Sequence, residues 1–319
     1  MYNSDVKNKV KQAMLCMTRQ CWEQGIAAQA LLELQDEKDL ELVVHDIVLR
    51  QSEDGRLCNV ESTPAITDSS FGIYAALTVG KKNNNKMYLE AAKKNVIFLL
   101  KHAERSEDGV IYHMENSQEI WADSAAFTPF SLALLGYYEE AVEQMKGLQK
   151  KLYDPEYQLY YHMWDEGEKE FKRKVLWGIG NGWFLTGLIR LYKILPDAYA
   201  TEKKEIHRDM IMLLDAMLAW ETSNHLFTDN LIDKDSFEET EVSEMIAYSI
   251  YVLVNEKILD RSYLERTDKI RNAIHKKVRA DGLVSDCASS PDFLHPGTSV
   301  EGQAHFLMME QAFHDCCSI

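Results

Sequence analysis

The sequence predicts an all-α fold, a closed (α/α)6 barrel in which six enclosed helices stand inside six covering ones. Three observations predict it. Helical segments of two kinds alternate along the chain, one apolar on a single face and the other apolar nearly all round. Turn signals, often Asp-Gly, recur between them, so that a unit of roughly 45 to 70 residues repeats. A helix apolar on every side must be enclosed, whereas a one-faced helix covers a surface. Six of each close into a toroid of hairpins. No composition break or Pro/Gly/Ser-rich linker divides residues 1–319, so a single domain is expected.

The elements follow in order. Ser4 to Gln20 has helical spacing through Val6, Val10, Ala13, Met14 and Met17. Trp22-Glu-Gln-Gly25 is expected to interrupt it before the small, apolar run from Ile26 to Leu34. Asp39 to Arg50 is amphipathic through Leu42, Val43, Ile47 and Leu49, and ends at the turn Glu53-Asp-Gly55. Asp68 opens an apolar helix running to Gly80; Met87 to His102 covers it, and Glu107-Asp-Gly109 is the next turn. Asp123-Ser124 reads as the start of a buried helix, since Asp and Ser accept first-turn amides. Glu139 to Leu152 covers that helix, and Asp154-Pro-Glu-Tyr157 turns the chain. Gly180 to Ile189, Val242 to Val254 and Glu301 to Phe313 are the remaining enclosed segments. Glu202 to Trp220 and Tyr263 to Val278 cover them, with turns at Ser223-Asn-His225 and Ala280-Asp-Gly282. Short ladders such as Gly109 to His113 and Leu159 to His162 are the extent of the expected strand.

Composition excludes several classes. Thirty-five Lys and Arg against 51 Asp and Glu give a net charge of −16. Nucleic acid, whose binding rests on neutralising phosphates, is not an expected partner. No apolar segment reaches the roughly 18 residues that span a bilayer, so no membrane partner is expected. Met1-Tyr-Asn-Ser-Asp lacks a basic stretch ahead of an apolar core. The cysteines Cys16, Cys21, Cys58, Cys287, Cys316 and Cys317 form no CxxC pair and no zinc-ligand spacing. Reduced structural thiols in a cytoplasmic protein are expected. Gly178-Ile-Gly-Asn-Gly182 follows no strand and lacks the phosphate-loop Lys, so no nucleotide is expected.

In such a toroid the loops entering the enclosed helices emerge at one end. Trp22, Asp68, Trp121 with Asp123, Trp177 with Asn181, Glu239 with Glu241, and Thr298 with Glu301 fall there. Aromatic rings stack on sugar faces, while carboxylates bond hydroxyls and move protons. Helix N-termini at the same mouth favour an anionic group. Each Trp also reads as core, and Asp123 also reads as a helix cap. His113 and His162 each end a Tyr-rich ladder beside the proposed site, and read either as active-site groups or as satisfied hydrogen-bonding residues.

Taken in order, the motifs resemble one family. Trp22-Glu-Gln-Gly25, Asp68, Trp121-Ala-Asp123, Tyr161-His-Met-Trp-Asp165, Trp177-Gly-Ile-Gly-Asn-Gly-Trp183 and Gly297-Thr-Ser-Val-Glu-Gly302 resemble those of the unsaturated rhamnogalacturonyl hydrolases. These group with the unsaturated glucuronyl hydrolases among the six-hairpin glycosidases. The resemblance implies an oligosaccharide substrate bearing a C4=C5 double bond, hydrated with no cofactor and no metal. It implies that Asp123 donates the proton and then activates water, with Asp68 positioning the sugar or assisting. Burial beside Trp121 is expected to raise the pKa of Asp123. Trp177 and His162 match family positions facing the substrate, and Trp22, Trp121, Asn181 and His113 are further candidate contacts.

One departure stands out: Ile179 occupies the place of an Arg in the family's usual Trp-x-Arg-Gly-Asn-Gly-Trp. That Arg suits carboxylate recognition, because a guanidinium binds it as a fork. Another donor, Arg173 or Lys174, would have to serve. An ordinary inverting glycosidase, a sugar epimerase or isomerase using paired His bases, and an inactive sugar-binding homologue are alternatives on the same barrel. Inverting chemistry would need two carboxylates about 6.5–9.5 Å apart. Oligomeric state is not read from the sequence.

Overall fold

A computed structural model describes residues 4–58, 65–289 and 293–317. Among them are twelve α-helices: α1 (Ser4–Met17), α2 (Cys21–Glu33), α3 (Glu37–Leu49), α4 (Ile73–Lys82), α5 (Lys86–Lys101), α6 (Ser124–Leu134), α7 (Tyr138–Leu152), α8 (Gly178–Ile194), α9 (Ala200–Leu218), α10 (Thr240–Asn255), α11 (Leu264–His275) and α12 (Val300–Cys317). The even-numbered helices close a ring, α2 against α4 and its leading turn, then α6, α8, α10, α12 and back to α2. Odd-numbered helices cover it from outside, α3 on α2, α5 on α4, α7 on α6, α9 on α8, α11 on α10 and α1 on α12. The expected toroid is present.

The burial pattern explains the two kinds of helix. α8 is buried from Gly178 to Leu191 without a break, as an enclosed helix must be. α7 buries Ala141, Val142, Gln144, Met145, Leu148 and Leu152 and turns its charges outward. The Asp-Gly turns work as the sequence suggests. Gly55, Gly109 and Gly282 sit at φ +102°, +87° and +90°, where a side chain would be strained.

Local readings are corrected at three places. Trp22 to Gly25 does not interrupt the chain but forms the first turns of α2. Glu23 accepts the backbone amides of Arg19 and Gln20 at 2.6 and 2.8 Å, which anchors that start. Asp68 opens a 3₁₀ turn, Asp68–Gly72, ahead of α4. A three-stranded antiparallel sheet also forms at one mouth, in the order Glu119–Trp121, Met163–Asp165, Glu170–Arg173. Pieces of three or four residues are too short to show the alternation that marks a strand.

The enclosed helices approach through small residues. Pro129 lies inside α6 and has no amide for the carbonyl of Ala125. Gly187 of α8 packs on that carbonyl, where a Cβ would lie 2.0 Å from the oxygen. Nearby, Arg190 Nη1 donates to the Ala126 carbonyl at 3.3 Å. All six cysteines are free thiols. Among the described residues, no helix is long and apolar enough to cross a membrane.

Gly187→Ala therefore places a methyl group into rigid backbone. It should lower the unfolding free energy by about 1–3 kcal/mol, although alanine favours helix by up to about 1 kcal/mol. Urea denaturation checks this, and an unchanged midpoint would contradict the close approach.

Candidate active site

The loops before the even-numbered helices converge on a cavity of about 440 Å³. Among the residues lining it are Trp22, Asp68, His113, Trp121, Asp123, His162, Arg173, Trp177, Ile179, Glu241 and Glu301. Both aspartates singled out from the sequence face this one space.

Asp123 precedes α6, yet its side chain caps nothing and its backbone is already helical. Its Oδ2 faces His162 Nε2 at 3.4 Å. Neither of these buried atoms has a hydrogen-bond partner at normal range. The short sheet explains how His162 arrives there: Trp121 pairs with Met163, and Ala122 N donates to the His162 carbonyl at 2.9 Å. On the other side of the ring, Arg173 Nη1 lies 2.8 Å from His162 Nδ1. A guanidinium only donates, so Nδ1 must accept and the ring proton must sit on Nε2, aimed at Asp123. His162 is therefore neutral and presents a donor to a carboxylate. Burial, opposed by Asp123 and assisted by Arg173, holds its pKa below the usual value.

The string continues outward. Arg173 Nη2 is 3.5 Å from Asp229 Oδ2, and Asp229 Oδ1 accepts the Trp177 indole N–H at 2.9 Å. Trp177 in turn stacks on His162 with centroids 4.1 Å apart. Asp229 escaped the sequence reading because nothing in its Phe-Thr-Asp-Asn context marks a site.

Asp68 lies in a different setting. His113 Nε2 is 3.6 Å from Asp68 Oδ1, while His113 Nδ1 meets Thr67 Oγ1 at 2.7 Å and Ser124 Oγ at 3.2 Å. The His113 ring stacks on Trp121 with centroids 4.2 Å apart. Trp121 is held by its indole donating to Glu119 at 2.8 Å, and Glu119 also pairs with Lys172. Burial pushes His113 down to about 4, so it supplies no positive charge to Asp68 near neutrality.

The two aspartates diverge as a result. Burial, together with the charges of Asp123 and Glu301, pushes Asp68 up to about 8. Burial also acts upward on Asp123, but His162 and His113 outweigh it and hold that carboxyl below its ordinary value. The expectation that Asp123 is the raised acid is thus corrected: the imidazole donor, absent from the sequence argument, stabilises the ionised form. Asp68 holds the proton. Glu241 and Glu301 line the same cavity, and each is pushed up to about 8, chiefly by burial. Trp22 donates its indole N–H to Glu301 at 2.6 Å.

Other candidates fall outside the cavity lining. Asn181 is fully buried, and its amide bonds the backbone of Tyr160 twice and that of Trp177 once. It shapes the loop and, buried outside the cavity lining, does not face a sugar there. Glu239 accepts Val242 N and Ala288 N, as a helix cap. Lys174 turns to the rings of Tyr161 and Phe171. Thr298 does not line the cavity, and Ile179 does. No group of three or more His, Cys, Asp or Glu among the described residues is arranged to hold a metal ion.

Known proteins resemble this chain in sequence and in fold. A family model described as Glycosyl Hydrolase Family 88 matches residues 2–305. An unsaturated rhamnogalacturonyl hydrolase, YesR, of Bacillus subtilis is 26% identical over 279 residues, 83% of this chain and 78% of its own length. An unsaturated 3S-rhamnoglycuronyl hydrolase of Formosa agariphila is 26% identical over 196 residues, 54% of this chain and 51% of its own. A family 105 glycoside hydrolase from C. acetobutylicum superposes with a TM-score of 0.82 at 17% identity, covering 98% of this chain and 99% of that one. At that identity the superposition speaks to the fold.

The protonated carboxyls tie stability to pH. Glu241 carries a folded-state pKa raised to about 8, so the folded chain binds more protons than the unfolded chain above the ordinary carboxyl range. Its stabilising effect is present below that range and is lost as pH rises through about 8. Wild type should lose more unfolding free energy between pH 5 and pH 8 than Glu241→Gln, measured by urea denaturation at both values. Equal losses would contradict a protonated Glu241.

Proposed function

We propose, from the premise that this chain belongs to glycosyl hydrolase family 88 and is a glycoside hydrolase, that it cleaves unsaturated uronyl disaccharides left by lyase digestion of pectin-type polysaccharides. The reaction is hydration of the C4=C5 enol ether. The observation that carries this reading is the contrast between two aspartates on one cavity: Asp123 faces the imidazole of His162 at 3.4 Å, while Asp68 lies buried with its pKa pushed up to about 8.

An enol ether reacts by taking a proton at C4, which leaves an oxocarbenium-like C5 open to water. Such a step needs one carboxyl that holds a proton at working pH and one that can receive a proton. Asp68 serves as the acid toward C4. Asp123 takes a proton from the water that adds at C5, with the Nε2–H of His162 steadying its charge before transfer. A 3.4 Å contact of this kind is long in the free enzyme and tightens when ligand excludes water. The C5 hemiketal then opens by breaking the bond from C5 to the ring oxygen, giving a ketone. C1 is left as a hemiacetal, which collapses to an aldehyde and releases the neighbouring sugar as an alcohol. Proton transfer from Asp123 back to Asp68, directly or through solvent, resets the pair.

The remaining lining suits a sugar. Trp22, Trp121 and Trp177 offer flat faces or edges, and the protonated carboxyls of Glu241 and Glu301 can donate to hydroxyls or accept from them. Three of the four lining carboxyls, those of Asp68, Glu241 and Glu301, hold protons near neutrality, which lowers the repulsion an anionic sugar meets on entry. We place the reaction in the cytoplasm, a reading supported by the six unpaired thiols.

Asp68→Asn and Asp123→Asn should each lower kcat by ~10²–10⁴ while circular dichroism is unchanged. The assay follows loss of the enol ether's ultraviolet absorbance on lyase-generated disaccharide. A saturated disaccharide cleaved at the same rate would reject hydration in favour of ordinary glycosidase chemistry. Activity should fall as pH rises through about 8, where Asp68 loses its proton. It should fall again in acid, below the ordinary carboxylate range, where Asp123 gains one. A profile flat across pH 7 to 9 would remove Asp68 as the acid.

A further inference from the structure

We infer that Arg173 is the specificity-determining residue of the cavity: its guanidinium binds the carboxylate of the sugar and so selects uronides over neutral sugars. The inference rests on the hydrolase reading above and adds to it the residue that recognises the acidic group.

Charge balance leads to Arg173. The cavity is lined by four carboxyls, and Arg173 is the one permanently charged cation among the described lining residues. His113 and His162 also face the cavity, but burial holds both below the usual imidazole value. A ligand carboxylate placed in this enclosed space without a cation would be an unpaired buried charge, which is strongly disfavoured. Lys174, the neighbouring cation, is turned to the rings of Tyr161 and Phe171 and does not line the cavity.

Arg173 also has the capacity. A guanidinium carries five N–H donors in a planar fork. One of them goes to His162 at 2.8 Å, and the approach to Asp229 is a loose 3.5 Å. Most of the fork is unspent. The side chain is braced from behind, with its guanidinium carbon 5.5 Å from the Trp177 ring centroid and its strand paired to Met163. A braced fork with spare donors is what bidentate carboxylate binding requires.

Position completes the argument. Arg173 and Asp123 approach opposite nitrogens of the same imidazole, at 2.8 and 3.4 Å. Both residues also line the same cavity, so a carboxylate held by Arg173 and the carboxyl of Asp123 face one sugar-sized space. In an unsaturated uronide the carboxylate is attached at C5, the atom that water attacks. Holding it at Arg173 fixes C5 within the cavity that Asp123 also lines.

The test compares an unsaturated uronyl disaccharide with its carboxyl methyl ester, using wild type, Arg173→Lys and Arg173→Met. The readout is the ratio of kcat/KM for acid over ester, because loss of the His162 contact slows both substrates alike and cancels. Wild type should favour the acid by about 10²-fold, the range of a charge-assisted bidentate pair. Arg173→Met should lower the wild-type ratio by about 10²-fold, and Arg173→Lys should fall between. A ratio unchanged in Arg173→Met overturns the inference and leaves the hydrolase reading standing. If wild type hydrolyses neither compound, that reading fails. The inference is then judged by calorimetric binding of a saturated galacturonoside and its methyl ester. Preference for the acid that disappears in Arg173→Met supports it; equal binding, or none, overturns it.

Discussion

Enclosed charge must be neutralised or paired, and this constraint shapes the mouth of the barrel. Closing six helices into a ring brings Asp68, Asp123, Glu241 and Glu301 around one cavity, largely away from water. Four carboxylates left charged there would repel one another and forgo solvation. The chain meets the constraint in two ways. Asp68, Glu241 and Glu301 keep their protons near neutrality. Asp123 keeps its charge because a neutral imidazole, oriented by a guanidinium, aims its proton at it.

The same arrangement supplies chemistry. A proton held by one carboxyl and refused by another is a stored difference that enol-ether hydration can draw on. The difference depends on second-rank contacts more than on the aspartates themselves. Arg173 decides the tautomer of His162, and His162 decides the charge of Asp123. The three-stranded sheet at the mouth sets the spacing of these groups, since it places Trp121, Met163 and Arg173 side by side. Tight packing below it, as where Gly187 meets the Ala125 carbonyl, holds α6 and α8 together beneath the two loops that carry Asp123 and Trp177.

Much of this was legible in the residues. Alternation of one-faced and all-round apolar helices is a strong periodic signal, and Asp-Gly turns marked Gly55, Gly109 and Gly282 correctly. The convergence of Trp22, Asp68, Trp121, Asp123 and Trp177 followed from where loops must emerge in a toroid. Three things were not legible. Asp123 resembles a cap because local sequence cannot say whether its oxygens turn to the helix or to the cavity. Asn181 resembles a ligand because its partners, the backbone groups of Tyr160, lie 21 residues away. The lowered pKa of Asp123 comes from His162, which the short sheet delivers from 39 positions along the chain (162 − 123). In each case a contact between distant segments overrode what neighbouring residues imply.

Neutron diffraction from deuterium-exchanged crystals at neutral pH tests the central claim most directly, since it locates the protons. The account predicts deuterium on the carboxyl of Asp68, none on Asp123, and the ring deuterium of His162 on Nε2 facing Asp123. Deuterium on the Asp123 carboxyl, or on Nδ1 of His162 toward Arg173, would contradict it.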